Sequence, residues 1–359
     1  MKKSSVRENR RAQNSAHAHK SVIYWLLSGC FLIFIMVIVG GITRLTHSGL
    51  SIANYQLIAG TIPPLNAEEW QAAFDLYKQY PEYQKINHKM NLEEFKDIFF
   101  WEWIHRVIGR VIGLVFILPF IYFLIKKRLS AKTIRLCLGL MSLGALQGFL
   151  GWFMVKSGLV DRPDVSHYRL AMHLTTAFLT FAATFWVALG LIYPGGQRNK
   201  KLWSKWGGWV KAAYGLLVIQ IIWGAFVAGL DAGWLHNHWP LMNDGLWMHE
   251  SVTQELNPTW KNFVEGKSGV QFVHRTLAYI VVLLIGRVAY LGLKYGTTLQ
   301  HRRLAYGILA GVGIQFLLGV LTLIWQVPLF LGLAHQVMAF VLLALMTLTW
   351  HRFKYGQAN

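Results

Sequence analysis

The sequence predicts an all-α membrane protein in which eight transmembrane helices form two pseudo-symmetric four-helix bundles. Three observations lead there. Of the 359 residues, 54% are hydrophobic and only 14% charged, with a mean hydropathy of +0.37, whereas a soluble globular chain is about 25% charged. The apolar residues gather in long runs such as Ser21 to Gly41 and Arg303 to Trp325, and about 20 apolar residues suffice to cross a bilayer as helix. The pattern of polar residues within these runs also repeats half-way along the chain.

The runs fall at 22–43, 99–125, 134–156, 169–193, 209–230, 270–293, 304–326 and 329–350. Eight crossings put both ends of the chain on one side. The basic tail (Lys2, Lys3, Arg7, Arg10, Arg11, Lys20) shares that side with Lys126 to Arg135, Arg198 to Lys205, Lys294 to Arg303 and Arg352 to Lys354. Basic clusters flanking apolar spans mark the cytoplasmic side. Two long loops, 44–98 and 231–268, fall on the other side and carry more acids than bases, among them Glu68, Glu69, Asp75, Glu82, Glu93, Glu94 and Asp97. This is the expected topology of a multi-pass protein of the bacterial inner (plasma) membrane with both termini cytoplasmic. The tail is short for a mitochondrial transit peptide, and with no signal-peptidase pattern after it the first run is expected to stay as a helix.

The formal net charge of +19 is accounted for by these flanks, so a nucleic-acid partner is excluded. Cys30 and Cys137 lie inside apolar spans and read as small buried hydrophobes rather than a disulfide pair.

Internal repetition divides the chain into a basic tail (1–20), a first half (21–195) and a second half (196–359), with the break near Pro194 to Trp206. Trp103-Ile-His105-Arg106 opens span two as Phe272-Val-His274-Arg275 opens span six. Gln147-Gly-Phe-Leu-Gly151 in span three matches Gln315-Phe-Leu-Leu-Gly319 in span seven. Ala171-Met-His173 opens span four as Leu333-Ala-His335 opens span eight.

Ionisable residues inside a membrane are costly and usually functional. His105, His173, His274 and His335 stand at matching places toward the outer ends of the four even spans. Zinc or copper sites want a third histidine, cysteines or carboxylates converging on one metal, and only pairs are offered here. Two helices with one imidazole each suit an iron porphyrin held between them. Glycines of the odd spans (Gly40, Gly41, Gly148, Gly151, Gly224, Gly319) fit a bundle that needs close approach or room for a macrocycle. Arg106 and Arg275 follow a histidine directly; pairing with haem propionates and snorkelling to the interface are both open. The halves differ at one place. Glu102 stands three residues before His105, where Gln271 precedes His274. A titratable group beside only one site suggests proton chemistry there and electron carriage at the other; a solvated acid favoured by the helix dipole is the alternative.

These residues carry a resemblance. Gly40-Gly-Ile-Thr-Arg-Leu-Thr-His-Ser-Gly-Leu-Ser51, Gly60-Thr-Ile-Pro-Pro-Leu65, Glu102-Trp-Ile-His-Arg106, Trp152-Phe-Met-Val-Lys-Ser-Gly-Leu159, Trp239-Pro-Leu-Met242, His173, Phe272-Val-His-Arg275 and Leu333-Ala-His-Gln336 together resemble the haem A synthases shared by mitochondria and many bacteria. The resemblance covers everything after the basic tail. It implies oxidation of the C8 methyl of haem O to a formyl group, by two hydroxylations and loss of water, giving haem A for terminal oxidases. It implies that His105 and His173 hold the substrate haem O, with Glu102 the catalytic acid beside it, and that His274 and His335 ligate a haem b cofactor. An unidentified electron donor, haem O synthase and oxidase assembly factors are the implied partners, with membrane lipid around them. Some relatives carry a cysteine pair in the first outer loop; this chain has none there. A dihaem b-type cytochrome that only transfers electrons, and a haem transporter or chaperone, are the competing readings. The relay is disfavoured because all four histidines sit at one depth.

Overall fold

The computed structural model describes residues 2–52, 59–158, 165–194 and 200–355. Leu159 and most of the connection between the halves, at 195–199, lie outside the described residues, and the side chains of 2–19 are not described. The architecture is all-helical among the described residues. Eleven α-helices follow in order: α1 (Lys2–Leu45), α2 (Ala67–Tyr77), α3 (Pro81–Lys85), α4 (Leu92–Ile125), α5 (Ala131–Gly158), α6 (His167–Ile192), α7 (Lys200–Gly229), α8 (Ser251–Gln254), α9 (Lys267–Tyr295), α10 (Leu299–Ile324) and α11 (Leu329–Lys354). Eight of them (α1, α4, α5, α6, α7, α9, α10 and α11) are long and apolar enough to cross a membrane, in agreement with the spans expected from hydropathy. The basic tail is no separate element: its backbone continues α1.

The ends of these helices follow local chemistry. Asn91 and Glu94 form a reciprocal capping box at the start of α4, satisfying two backbone donors that the first turn leaves free. Asn66 accepts from Glu69 N to start α2, and Thr298 accepts from His301 N to start α10. Because α4 starts well before its apolar stretch, its first two turns project outward as a platform for the first outer loop. Phe74, Tyr77, Phe95 and Phe99 are buried there, with Trp70 and Tyr83 packed around them. Tyr77, fully buried, donates from its hydroxyl to Glu82 at 3.0 Å and accepts from Asn87 at 2.8 Å. Burial and the neighbouring Glu82 carboxylate push the phenol above its usual range.

The packing repeats as the sequence does. In the first half α1 lies along α4, and α6 lies along both α1 and α5; in the second, α7 lies along α9, and α11 lies along both α7 and α10. The halves meet where α6 touches α7 and α1 touches α11, contacts that exchange with each other under a two-fold operation. Phe178 and Phe340 each stand five residues after the histidine of their helix. Their rings meet edge-on at 5.2 Å, and Phe181 and Phe34 pack on Phe340 at 4.2 and 5.5 Å. Polar ties cross the same seam: Gln336 donates to Val37 O at 2.8 Å, and Arg44 pairs with Asp231 at 3.0 Å while donating to Ala228 O.

One contact breaks the symmetry. In the second half α9 and α10 pack closely, whereas α4 and α5 touch only sparsely. The first pair shares an apolar cluster of Phe120, Phe123, Cys137 and Leu140. Toward the outer side no residue of α4 from 103 to 119, or of α5 from 141 to 156, is buried.

Eight antiparallel crossings put exposed Glu68 and Trp260 on one side and exposed Arg128 on the other. Cys30 and Cys137 are buried, so single cysteines at those positions report cleanly. A membrane-impermeant maleimide is expected to label Glu68→Cys and Trp260→Cys from one face only, and Arg128→Cys from the opposite face. Labelling of Glu68→Cys and Arg128→Cys from the same face would be incompatible with this fold.

Candidate haem-binding site

A histidine on a membrane helix needs a neighbour small enough to admit its ring, and here each has one. A Cβ built on Gly40 of α1 would stand 3.3 Å from His105 Nε2 of α4. Gly151 of α5 holds the same relation to His173 Cε1 of α6 at 3.0 Å, Gly224 of α7 to His274 Cε1 of α9 at 3.1 Å, and Gly319 of α10 to His335 Cε1 of α11 at 2.9 Å. All four are tighter than ordinary van der Waals contact, so each odd helix presents a glycine to the imidazole of the even helix after it. Gly41 serves a different contact, against Gln336 and Leu333 of α11, and a Cβ on Gly148 would meet nothing.

One turn before three of these glycines stands a glutamine. Gln147 Nε2 lies 3.1 Å from His173 Nδ1, Gln220 Nε2 lies 3.2 Å from His274 Nδ1, and Gln315 Nε2 lies 3.2 Å from His335 Nδ1. The sequence reading noted two of these glutamines only as marks of repetition and passed over Gln220. The signal was legible: a Gln-x-x-x-Gly pattern in three of four odd spans. Span one carries Met36 where the other three carry glutamine. Its thioether methyl packs against Gly109 of α4, one turn beyond His105.

Oε1 of Gln147, Gln220 and Gln315 is buried without a hydrogen-bond partner, and buried polar groups are ordinarily paired. Amide oxygen and nitrogen exchange by a flip. The same amide groups lie 3.3 Å from His173 Nε2 and 3.4 Å from His335 Nε2; with the amides of Gln147 and Gln315 turned, Oε1 accepts from one ring N–H and leaves the other nitrogen as the lone-pair donor a metal-ligating histidine needs. The rings of His274 and His335 face one another with centroids 6.4 Å apart and planes at 82°. A metal between two ring nitrogens at bonds of about 2 Å spaces ring centres by roughly 6 Å, so one iron fits between them. His105 and His173 lie within electrostatic reach of each other. Among the described residues no group of three or more His, Cys, Asp or Glu gathers to hold a bare metal ion. The donor set therefore fits two porphyrin irons with an imidazole pair each.

The outer mouths of the two sites are built alike, with opposite polarity. Glu102 is only 3% exposed, so it is no solvated helix-end acid. It accepts from Ser51 Oγ and Ile52 N, each at 2.7 Å, and from Arg106 Nη2 at 2.5 Å, while Arg106 also donates to Ile52 O at 2.9 Å. Gln271, 2% exposed, instead donates to the carbonyls of Ala232 and Leu235. Arg275 donates to the carbonyls of His236, His238, Pro240 and Leu241. In both halves the residues one turn before and one residue after the histidine clamp the loop that leaves the preceding odd helix. The first loop offers an N–H and a hydroxyl, which an acid accepts; the second offers carbonyls, which an amide satisfies. Both arginines are thus held in the outer loops, whichever acidic groups they also meet.

The family described as Cytochrome oxidase assembly protein (COX15-CtaA) matches residues 23–347. The chain belongs to this family. Among its relatives a "Heme A synthase" of Flavobacterium johnsoniae is 58% identical over 336 residues, covering 93% of this chain and 98% of the relative. One of Flavobacterium psychrophilum is 56% identical with the same coverage of both chains, and one of Rhodospirillum centenum is 45% identical over 94% of this chain and 90% of its own length. The match begins after the basic tail and takes in all four histidines.

Two stability predictions follow from the contacts. Gly319→Val drives a side chain into His335 and is expected to cost about 1–3 kcal/mol, the usual cost of overpacking. Gly313→Val, where a Cβ meets nothing, stays within about 0.5 kcal/mol of the parent. Unfolding in detergent micelles measures both, and equal stability of the two variants would refute the ring-on-glycine contact. Arg106→Ala removes the counter-charge of a buried carboxylate and is expected to cost about 3–5 kcal/mol; a loss below 1 kcal/mol in the same assay would show that Glu102 does not depend on the pair.

Proposed function

We propose that this chain is a haem A synthase, an oxidoreductase that converts the C8 methyl of haem O to a formyl group. The observation that carries the reading is the four-fold imidazole arrangement, in which each of two pairs of histidines is set against glycine, three of the four rings also meeting a glutamine. It gives room for a substrate haem beside a resident haem, and the family and its relatives' names supply the chemistry. A relay between the two faces of a membrane is served better by haems stacked through it than by two at the same level.

In this reading His105 and His173 of the first half (21–195) hold haem O, and His274 and His335 of the second half (196–359) hold haem b, which when bound supplies one-electron chemistry. The conversion takes a methyl and one water to a formyl, releasing four protons and four electrons, so a site for proton traffic is needed beside the substrate. Glu102 is the titratable candidate. It lies one helical turn before His105, out of solvent, and connects through Ser51 and Ile52 to the first outer loop. Its counterpart Gln271 cannot carry a proton as a carboxyl does. Arg106 and Arg275, each one residue past a histidine and at the outer mouth, are assigned the haem propionates; the charge-assisted fork suits a carboxylate. The four electrons need an acceptor, which is a redox partner protein of the same membrane, the bacterial plasma membrane, and both termini of the chain lie in the cytoplasm.

Two experiments test these assignments. His274→Ala and His335→Ala are each expected to deplete haem b from the purified protein, because a bis-imidazole site needs both ligands; full low-spin haem b in both variants would refute the pairing. Glu102→Gln, expressed in a host that supplies haem O, is expected to retain haem b while haem A formation falls about 10²- to 10⁴-fold. Near-parental haem A would reduce Glu102 to a clamp for the Ser51–Ile52 loop, and loss of haem b as well would assign it a purely structural role.

A further inference from the structure

The difference between the halves along α4 and α5 has a counterpart in the sequence register. Counting from the ligands, Tyr279 of α9 (five after His274) corresponds to Arg110 of α4 (five after His105). Phe316 of α10 (one after Gln315) corresponds to Gly148 of α5 (one after Gln147). In the second half Tyr279 and Phe316 meet with ring centroids 5.4 Å apart, and Trp247 and Trp239 of the outer loop stack onto them at 5.6 and 6.2 Å. Four aromatic rings therefore plug the second half between α9 and α10, at the level of the histidines. In the first half that plug is gone. Gly148 is exposed, a Cβ on it would meet nothing within 4 Å, and α4 and α5 touch only sparsely where α9 and α10 pack closely. Phe149 and Leu114 face outward from the bundle, as do their counterparts Leu317 and Leu283. Gly148 adjoins Gln147, whose amide meets His173, so the loose α4–α5 seam lies beside the His105–His173 pair.

We propose that this opening is the subsite for the isoprenoid chain of the substrate, and that Gly148 is the residue that makes the first half accept a prenylated porphyrin. The inference rests on the haem A synthase reading. Haem B, with a vinyl group where haem O carries a hydroxyethylfarnesyl chain, fits a half closed on all sides. Haem O cannot be enclosed in that way: its chain of about fifteen carbons is strongly apolar, each buried CH₂ being worth about 0.8 kcal/mol, and must lie against lipid or apolar side chains. A loose lateral seam beside those histidines would provide both, with the macrocycle between the helices and the chain leaving past Gly148. The same plug in the second half excludes the prenylated molecule from the cofactor site, so one fold duplicated separates two nearly identical haems by a single aromatic pair.

The test is haem selectivity, read by binding. Purified Gly148→Phe rebuilds one ring of the plug, and is titrated with haem O and with haem B under absorbance detection. The parent is expected to prefer haem O at the first site, and the variant to lose that preference, its Kd for haem O rising about tenfold or more (1.4 kcal/mol per decade) while haem B binding at both sites is unchanged. The reciprocal variant, Phe316→Gly, opens the second half and is expected to carry haem O at His274 and His335 when extracted from a host that makes it. Unchanged haem O affinity in Gly148→Phe, equal loss of both haems in it, or exclusion of haem O from the second site of Phe316→Gly would each overturn the assignment. If the parent itself makes no haem A from haem O, the functional reading fails; if it does and the variants behave like the parent, only the subsite fails.

Discussion

The rest of the molecule depends on the contact between an imidazole and a glycine of the preceding membrane span. A histidine within a bilayer helix brings two nitrogen sites that lipid cannot satisfy, and its ring is too wide for the groove between two ordinary helices. Removing the Cβ at Gly40, Gly151, Gly224 and Gly319 lets the even helix come close and sets the ring against backbone. At three of the four a glutamine one turn away meets the ring nitrogens. Once the glycine contacts are made four times, helix spacing and the depth of the histidines are determined together. The spacing of the α6–α7 and α1–α11 seams follows, because the phenylalanines one turn further in, Phe178 and Phe340, stack on the pseudo-axis.

A duplicated fold becomes useful when its copies differ, and three differences are visible. Met36 stands where the other three spans carry glutamine and meets Gly109 of α4, so His105 lacks the amide neighbour that the other three imidazoles have. Glu102 and Gln271 clamp loops of opposite polarity, which explains the acid–amide pair as a matter of hydrogen-bond direction before any catalytic role is added. The same carboxylate answers both demands, since a group that must accept from Ser51, Ile52 and Arg106 is also one that can exchange a proton. Gly148 stands where Phe316 closes the other half. All three changes fall in or beside the His105–His173 site, while the second half keeps the more enclosed arrangement.

Much of this was legible in the sequence. The spans, the inward and outward loops and the register of the four histidines follow from hydropathy, charge and repetition, because a membrane leaves a chain few other ways to satisfy its backbone. The glycines were recognised as a class, but which of them touch a ring and which open a gap is a property of helix facing. Gly148 and Gly151 are three residues apart yet one is empty and the other filled. The sequence leaves a solvated Glu102 open as an alternative because a helix-end acid is usually wet, and Ser51 and Ile52, which cover it, are far away in sequence. Gln220 escaped notice because its neighbours differ from those of Gln147 and Gln315, so only the spacing, and not the local motif, is shared.

The central claim is that one half of this duplicated bundle holds a resident haem and the other a substrate haem. The most direct measurement is extraction and mass identification of the haems in the purified protein, expressed in a host that makes haem O but no haem A of its own. The account predicts haem B together with haem O or its oxidised products, with haem B lost on His274→Ala and the prenylated haems lost on His105→Ala. Haem B alone at both sites, with no prenylated haem bound or formed, would contradict it.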